Sequence, residues 1–171
     1  MTNKSVREPP AVAVCLAAFN GIRWLPKQLA SILEQKGVSV TIVVSVDRSS
    51  DGTEEWVERR ASEESRLVAL PFGERFGGAA ANFFRLLRDA DLSGFDYVSL
   101  SDQDDIWQAE KLLRAYRVLQ ETGADGYSSD VVAFWPSGRT RWIRKSQPQR
   151  RWDFLFEAAG PGCTYVIRAD L

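Results

Sequence analysis

Apolar runs and helix-patterned segments alternate along most of the chain. Continuous apolar residues occupy 11–18, and β-branched residues dominate 38–46, so both segments are predicted to be strands buried in a sheet. Shorter apolar segments predict two further strands, at 66–70 and 95–100. Between them, helical spacing and start signals predict four helices, at about 22–35, 51–64, 79–90 and 108–121. This alternation indicates an α/β domain, with a mainly parallel sheet and helices on both faces.

The pattern changes in the last third of the chain. Residues 127–135 are predicted to be a strand, and a Pro-Ser-Gly turn then leads into the returning arm of a hairpin at 140–143. A short helix is predicted at 151–158 and a final strand at 163–168. Residues 1–10 are polar and are interpreted as a flexible tail, which leaves 11–171 as one domain.

Composition excludes several classes of protein. The chain has 171 residues and a net charge of -1, so it has no overall attraction to nucleic acid. Its apolar runs are far shorter than the ~20 residues that span a bilayer, and the start lacks a signal-peptide core. We therefore expect a cytoplasmic protein, in which Cys15 and Cys163 are two buried thiols. Histidine is absent, which excludes a Ser-His-Asp triad and any histidine metal site within these residues.

The acidic cluster Asp102-Gln103-Asp104-Asp105 directly follows a predicted strand. In an extended backbone, Asp102 and Asp104 would point to the same side, where their like charges would favour a shared cation. Mg²⁺ and Mn²⁺ prefer oxygen ligands and complete their shell with water and substrate phosphates. The cluster therefore predicts a metal site for a nucleoside diphosphate. The alternative is an exposed acidic turn that caps the helix beginning near residue 108.

Asp47 ends the second predicted strand, where its carboxylate could accept the imide N–H of a uracil or thymine ring. Asp51 and Glu54 are predicted to form a capping box at the next helix, whereas Asp47 has no such local role. The Gly77-Gly78 pair is interpreted as a tight entry into a helix rather than as a phosphate cradle.

Several motifs occur in the order and spacing of one family. They are Ala17-Ala18-Phe19-Asn20-Gly21, then Gln28-Leu29 and Ser31-Ile32-Leu33-Glu34-Gln35 in the first predicted helix, the segment 46–53, and LSDQDDIW at 100–107 followed by Lys111-Leu112. Over residues 12–171 the chain resembles family 2 glycosyltransferases, in their bacterial rhamnosyltransferase-like branch. The resemblance implies a GT-A fold and a metal-dependent, inverting transfer of a sugar, such as rhamnose, from a dTDP- or UDP-sugar. The acceptor would be a saccharide or a lipid-linked molecule in cell-surface polysaccharide synthesis.

The resemblance also implies roles for individual residues. Ala17 and Phe19 would line the nucleobase and ribose pocket, and Asp47 would contact the pyrimidine. Asp102-Gln103-Asp104 matches the DXD motif: Asp104 would bind Mg²⁺ or Mn²⁺, and Asp102 would contact the ribose or the metal shell. The further candidates are Gln103, Asn82 and Arg75 for the donor and Asp105 near the sugar. The family's acceptor base lies downstream of the segment that 162–168 resembles, so we expect it beyond Leu171, in a truncated domain.

Two other interpretations of the chain stay open. It could be a non-catalytic module that binds nucleotide-sugars, or a sugar nucleotidylyltransferase, although the latter class has a glycine-rich loop with Arg and Lys after its first strand. A basic stretch with interleaved tryptophans is either a solvated loop or a contact for anionic lipid, a lipid-linked acceptor or RNA. The resemblance favours the acceptor or the membrane surface over nucleic acid. The stretch comprises Arg139, Arg141, Trp142, Arg144, Lys145, Arg150, Arg151 and Trp152.

Overall fold

The computed structural model describes residues 8–73, 75–145, 148, 150–155 and 160–171. Its strands are β1 (Ala11–Ala18), β2 (Ser39–Val46), β3 (Leu67–Ala69), β4 (Tyr97–Ser101), β5 (Gly126–Tyr127), β6 (Val131–Phe134), β7 (Thr140–Ile143) and β8 (Val166–Arg168). Its α-helices are α1 (Leu25–Leu33), α2 (Thr53–Glu63), α3 (Ala79–Asp89) and α4 (Lys111–Thr122).

Six strands form the main sheet, in the order β3-β2-β1-β4-β8-β5, and β6 and β7 form a separate hairpin. Strands β3, β2, β1 and β4 are parallel, whereas β8 runs antiparallel to both β4 and β5. The predicted α/β architecture with a mainly parallel sheet is thus confirmed, and so is the hairpin.

The helices cover both faces of the sheet. On one face, Leu16 of β1 and Ile42 of β2 belong to a buried cluster with Leu29 of α1, Val57 of α2 and Leu112 of α4. On the opposite face, Cys15, Val43 and Val98 pack with Leu86 of α3. The central strands are buried on both sides, which explains why they appear in the sequence as unbroken apolar runs.

Several predicted elements differ from the structure. The predicted strand 127–135 is two strands that pair with different partners, β5 with β8 and β6 with β7. Cys163 is buried as predicted, but it lies in a 3-10 turn before β8 and not in a strand. Within the predicted helix 151–158, Asp153–Leu155 form a 3-10 turn and residues 156–159 lie outside the described part. Most of the predicted tail 1–10 also lies outside it.

The predicted capping box of α2 is also wrong. The N-cap of the helix is Gly52, which has a left-handed backbone (φ 87°). Asp51 therefore lies one residue before the cap position. The Asp51 carboxylate instead accepts the Thr53 N–H, and the Glu54 carboxylate accepts the Ser49 N–H. These bonds fix the loop that follows β2.

The parallel topology brings three loops to one edge of the sheet. β1 ends at Ala18 beside Val46 of β2, and the pairing of β1 with β4 ends at Leu16 beside Ser101. Ligands of such sheets bind outside these carboxyl ends. Phe19, Asp47 and Asp102, which follow the three strands, are therefore neighbours. Within the described ranges, no helix has the length and apolar character that crossing a bilayer requires.

Candidate functional site

A cavity of about 400 Å³ opens at this edge of the sheet. Loops after β1, β2 and β4 form it together with the N-terminus of α3. It collects most of the residues that the sequence nominated: Ala17, Phe19, Asp47, Arg75, Asn82, Asp102, Gln103 and Asp104. Asp105 is not among its lining residues. A larger cavity, about 550 Å³, opens at the other end of β4, and its lining contains none of these candidates.

Asp102 and Asp104 reach the same cavity by a turn rather than by an extended backbone. β4 ends at Ser101, and Gln103 and Asp104 form a turn. The predicted alternation of an extended strand is therefore wrong here, although both residues line the same cavity. Asp104 is exposed, while Asp102 and Asp105 are half-buried.

The electrostatic environment of Asp102 suits a cation. Burial raises the pKa of Asp102 to about 6, and the negative charges of Asp105 and Asp104 add to the effect. One carboxylate oxygen each of Asp102 and Asp105 and the Sγ of Cys163 lie within 4.8 Å of one another. A bound cation would relieve the repulsion between these carboxylates. The oxygen donors fit Mg²⁺ or Mn²⁺, which take one or two carboxylates and leave positions for phosphate.

Asp105 belongs to a more buried cluster beside Asp102. Burial raises the pKa of Asp105, and a hydrogen bond with the Cys163 thiol opposes that shift. Its Oδ2 is buried and has no hydrogen-bond partner within the part of the chain that is described. Burial likewise raises the pKa of Cys163 above its usual range. Cys163 is thus an inert thiol that shapes the acidic cluster.

Lys111 partly balances the negative charge of this cluster. Its Nζ lies 3.6 Å from the centroid of the Trp107 ring, a close cation–π contact. Burial lowers the pKa of Lys111 to about 8, and electrostatic interactions with Cys163 and with the Asp105 carboxylate oppose the shift. Trp107 itself is buried and packs in the hydrophobic core.

Helix α1 holds the acidic segment through buried polar side chains. The Gln28 Nε2, on a fully buried side chain, donates to the Ser101 Oγ at 2.7 Å and to the Asp102 carbonyl at 3.2 Å. The Ser31 Oγ accepts the Trp107 N–H at 3.0 Å. The sequence offered these residues only as part of a family motif. In the structure they fix the backbone that carries the carboxylates.

Asp47 has a structural role that the sequence did not reveal. Its Oδ1 accepts the Phe76 N–H at 2.9 Å, and its Oδ2 accepts the Gly77 N–H at 3.0 Å. The expectation that Asp47 lacks a local role is therefore wrong, because the carboxylate anchors the loop before α3. Its contact with a pyrimidine stays a prediction.

Asn82 and Arg85 attach α3 to the same edge of the sheet. The buried Asn82 Nδ2 donates to the Ser45 carbonyl at 3.0 Å and to the Ala18 carbonyl at 3.4 Å. The Arg85 guanidinium donates to the Ser45 Oγ at 2.9 Å and to the Pro71 carbonyl at 2.5 Å. These bonds place the N-terminus of α3 against the cavity.

The Gln103 side chain binds the loop after β1. The Phe19 N–H donates to the Gln103 Oε1 at 2.8 Å, and the Gln103 Nε2 donates to the Phe19 carbonyl at 2.9 Å. The side-chain amide thus uses both of its polar atoms within the protein. Contact of Gln103 with a donor stays a prediction.

A sheet of this topology, with paired carboxylates at its carboxyl edge, is typical of enzymes that bind nucleotide-sugars. The sequence model described as "Glycosyl transferase family 2" matches residues 13–166, and the chain belongs to that family. It is 46% identical over 156 residues to the dTDP-rhamnosyl transferase RfbG of Shigella flexneri, covering 91% of this chain and 54% of that protein. It is 28% identical over 124 residues to the succinoglycan biosynthesis protein ExoO of Rhizobium meliloti (strain 1021), covering 72% of this chain and 34% of that protein.

Solved structures confirm the predicted GT-A fold. Staphylococcus aureus TarS (residues 1–349, with UDP-GlcNAc) matches with a TM-score of 0.69 at 19% identity, over 92% of this chain and 45% of that one. The mannosyltransferase PcManGT of Pyrobaculum calidifontis, with GDP-Man and Mn²⁺, matches with a TM-score of 0.66 at 20% identity. The match covers 95% of this chain and 45% of that one. The chain spans about half the length of RfbG and of these solved proteins.

Proposed function

We propose that this chain is the donor-binding part of a metal-dependent, inverting glycosyltransferase. It would transfer rhamnose from a dTDP-sugar to a saccharide or lipid-linked acceptor in cell-surface polysaccharide synthesis. The observation that carries the proposal is the convergence of Asp102 and Asp104 with Phe19 and Asp47 in one cavity. The 46% identity to RfbG supports dTDP-rhamnose as the donor.

Each side of the cavity would hold a different part of the donor. Ala17 and Phe19 would contact the base and ribose, and Asp47 would read the pyrimidine edge. Asp104 and Asp102 would hold Mg²⁺ or Mn²⁺, which supplies charge neutralisation for the departing diphosphate. Asp105 is a candidate for contact with the sugar. We assign the acceptor base to none of the described residues.

Nucleotide selection tests the proposal. Calorimetric titration of the chain with dTDP, UDP and GDP in the presence of Mn²⁺ should give binding by dTDP and UDP at least about tenfold tighter than by GDP, because a purine does not fit a pocket that reads a pyrimidine. GDP binding as tight as dTDP binding would reject the pyrimidine donor. Absence of binding by all three would reject the donor site. Hydrolysis of dTDP-rhamnose would further distinguish an enzyme from a binding module.

We propose a second element of this function, peripheral contact between the β6–β7 hairpin and an anionic membrane that carries the acceptor. The hairpin pairs Val132 with Trp142 and Phe134 with Thr140, so these four side chains share a face. Trp142 is 66% exposed and Phe134 is 55% exposed. Indole rings with neighbouring cations are favoured in the headgroup region of a bilayer. The exposed arginines of this region are Arg139, Arg141, Arg144, Arg150 and Arg151.

Vesicle sedimentation tests this contact. We expect the chain to bind vesicles that contain phosphatidylglycerol and not vesicles of phosphatidylcholine, because each basic residue near an anionic surface contributes about 1 kcal/mol. The Phe134→Ala/Trp142→Ala variant should bind at least about fivefold more weakly. Phe84→Ala is the matched control, since Phe84 is 72% exposed on α3. Equal sedimentation of wild type and the double variant, or no binding by wild type, would contradict the contact.

A further inference from the structure

The backbone of Phe19 extends past the end of a strand ladder. The pairing of β1 with β2 continues to Ala18, but the pairing of β1 with β4 ends at Leu16 and Ser101. On the β4 side, the Phe19 N–H and carbonyl are bonded instead by the Gln103 side chain, at 2.8 and 2.9 Å. The amide of Gln103 therefore takes the place that a neighbouring strand would occupy.

Glutamine has the chemistry that this place requires. A primary amide offers one acceptor and one donor side by side, as a strand backbone does. A glutamate would present only acceptors to the Phe19 carbonyl and would add charge beside Asp102 and Asp104. Asparagine is shorter by one methylene group. Gln103 is thus matched to the Phe19 backbone in both length and polarity.

Gly21 provides the space for this amide. A Cβ on Gly21 would lie 2.3 Å from the Gln103 Oε1 and 2.9 Å from its Cδ. The φ of Gly21 is not in the left-handed region, so close approach rather than backbone conformation explains the glycine. The loop after β1 is therefore shaped to receive the Gln103 side chain.

Gln103 thereby joins the two walls of the cavity. The base wall consists of Ala17 and Phe19, and the carboxylate wall consists of Asp102 and Asp104, which flank Gln103 in sequence. A shift of the carboxylate wall must move the amide, and through its two hydrogen bonds it must move Phe19. Because Gln103 connects the two walls, a change at one wall is expected to alter the binding free energy at the other.

We propose that Gln103 is a positioning residue that couples cation binding at the carboxylate wall to nucleoside binding at the base wall. In this role Gln103 acts on the donor through Phe19, because both polar atoms of its amide are bonded to the Phe19 backbone. The inference rests on the proposed donor site. It assigns the middle residue of the acidic motif a task of its own, which is to set the distance between the two walls.

The test measures how much Mn²⁺ tightens nucleotide binding. Calorimetry would give the Kd of dTDP with and without Mn²⁺ for wild type, Gln103→Ala and Gly21→Ala. In both variants we expect the Mn²⁺ enhancement to fall about tenfold, because the cation no longer orders the base wall. The Kd of dTMP without Mn²⁺ should change by less than about threefold. Gly21→Ala displaces the amide while Gln103 is retained, so the two variants test one contact independently.

Gln120→Ala is the matched control, because the Gln120 Nε2 donates to the Tyr97 hydroxyl outside the cavity, at 2.8 Å. The Gln120→Ala variant should keep the wild-type enhancement of dTDP binding by Mn²⁺. Thermal unfolding would establish that every variant is folded. If Mn²⁺ tightens dTDP binding as much in Gln103→Ala as in wild type, the proposed coupling is overturned. The same holds if only Gly21→Ala keeps the full enhancement. Equal weakening of dTDP with and without Mn²⁺ would show direct donor contact and also overturns it. Failure of wild type to bind dTDP would instead reject the proposed function on which it rests.

Discussion

Replacing Asp102 with asparagine is expected to stabilise the fold while it abolishes Mn²⁺-dependent dTDP binding. The raised pKa of Asp102, about 6, shows that the charged carboxylate is less stable in the folded protein than in water, owing to burial and then to Asp105 and Asp104. A neutral amide of the same shape removes this penalty. Because the side chain is only half-buried, solvent screening reduces the gain to about 1 kcal/mol at pH 7. Urea unfolding without metal measures it.

The sign of the pH dependence follows from the direction of the shift. The pKa of Asp102 rises from 3.8 to about 6 on folding, so the folded state favours the protonated acid. The wild type therefore loses stability relative to Asp102→Asn as pH rises from about 4 to 6. The advantage of the variant should be complete above pH 6 and should vanish below pH 4.

Asp91→Asn provides the control for this stability effect. A hydrogen bond from Ser93 lowers the pKa of Asp91, so its neutralisation should not stabilise the protein. A stability of Asp102→Asn that is lower than that of the wild type at pH 7 would contradict the account. So would a gain that is independent of pH. Functional residues held at such a cost in stability are common in enzymes.

Replacing Asp104 with asparagine is expected to remove the Mn²⁺ enhancement of dTDP binding. Asp104 is exposed on the cavity and is the carboxylate most accessible to a cation that also binds diphosphate. Calorimetry in Mn²⁺ should show binding at least about 100-fold weaker, which is about 2.7 kcal/mol. Without Mn²⁺ the variant should bind dTDP at least as tightly as the wild type, because it lacks a carboxylate that repels the diphosphate.

Asp125→Asn is the matched control for Asp104→Asn. Asp125 is also an exposed aspartate, but its carboxylate pairs with Arg168, outside the cavity. It should leave both affinities unchanged. Full Mn²⁺ dependence in Asp104→Asn would mean that the cation is held elsewhere, with Asp102 and Asp105 as the next candidates.

Residues of the candidate site could be predicted from the sequence because the carboxyl ends of parallel strands lie at one edge of the sheet, so the loops that follow them meet there. Phe19, Asp47 and Asp102 each follow a strand that the apolar pattern identifies, and such strand ends share one edge. This prediction required neither the order of the strands in the sheet nor the register of their pairing. Asp102 and Asp104 could therefore be assigned to one cavity before their geometry was known.

The supporting hydrogen bonds were not predictable from the pattern. Gln28 and Gln35 occur in the predicted helix 22–35, where a polar residue usually indicates the solvent face, although Gln35 lies just beyond the end of α1. In the structure, the Gln35 Nε2 donates to the Gln108 carbonyl at 2.7 Å, and its Oε1 accepts the Leu112 N–H at 3.0 Å. These partners lie more than seventy residues away. Only the tertiary fold reveals that the helix carries the acidic segment.

Local periodicity also fails where a turn interrupts a strand. An extended backbone was assumed for Asp102 and Asp104. In the structure, β4 ends at Ser101, the residue before Asp102, and the chain then turns at Gln103 and Asp104. Likewise, residues 127–135 have strand-like composition throughout, yet their two ends pair in different sheets. Composition indicates that a segment is suited to a strand, whereas the partner that it pairs with depends on distant residues.

Asp102 and Asp104 together are expected to hold a divalent cation against the donor diphosphate. Anomalous diffraction at the manganese edge, from crystals grown with dTDP and Mn²⁺, tests it most directly. We expect one manganese peak at coordination distance from a carboxylate oxygen of Asp104 and from the diphosphate, with Asp102 bound to the ion or to its water shell. Bound dTDP with no manganese peak at these carboxylates, or manganese elsewhere in the chain, would contradict it.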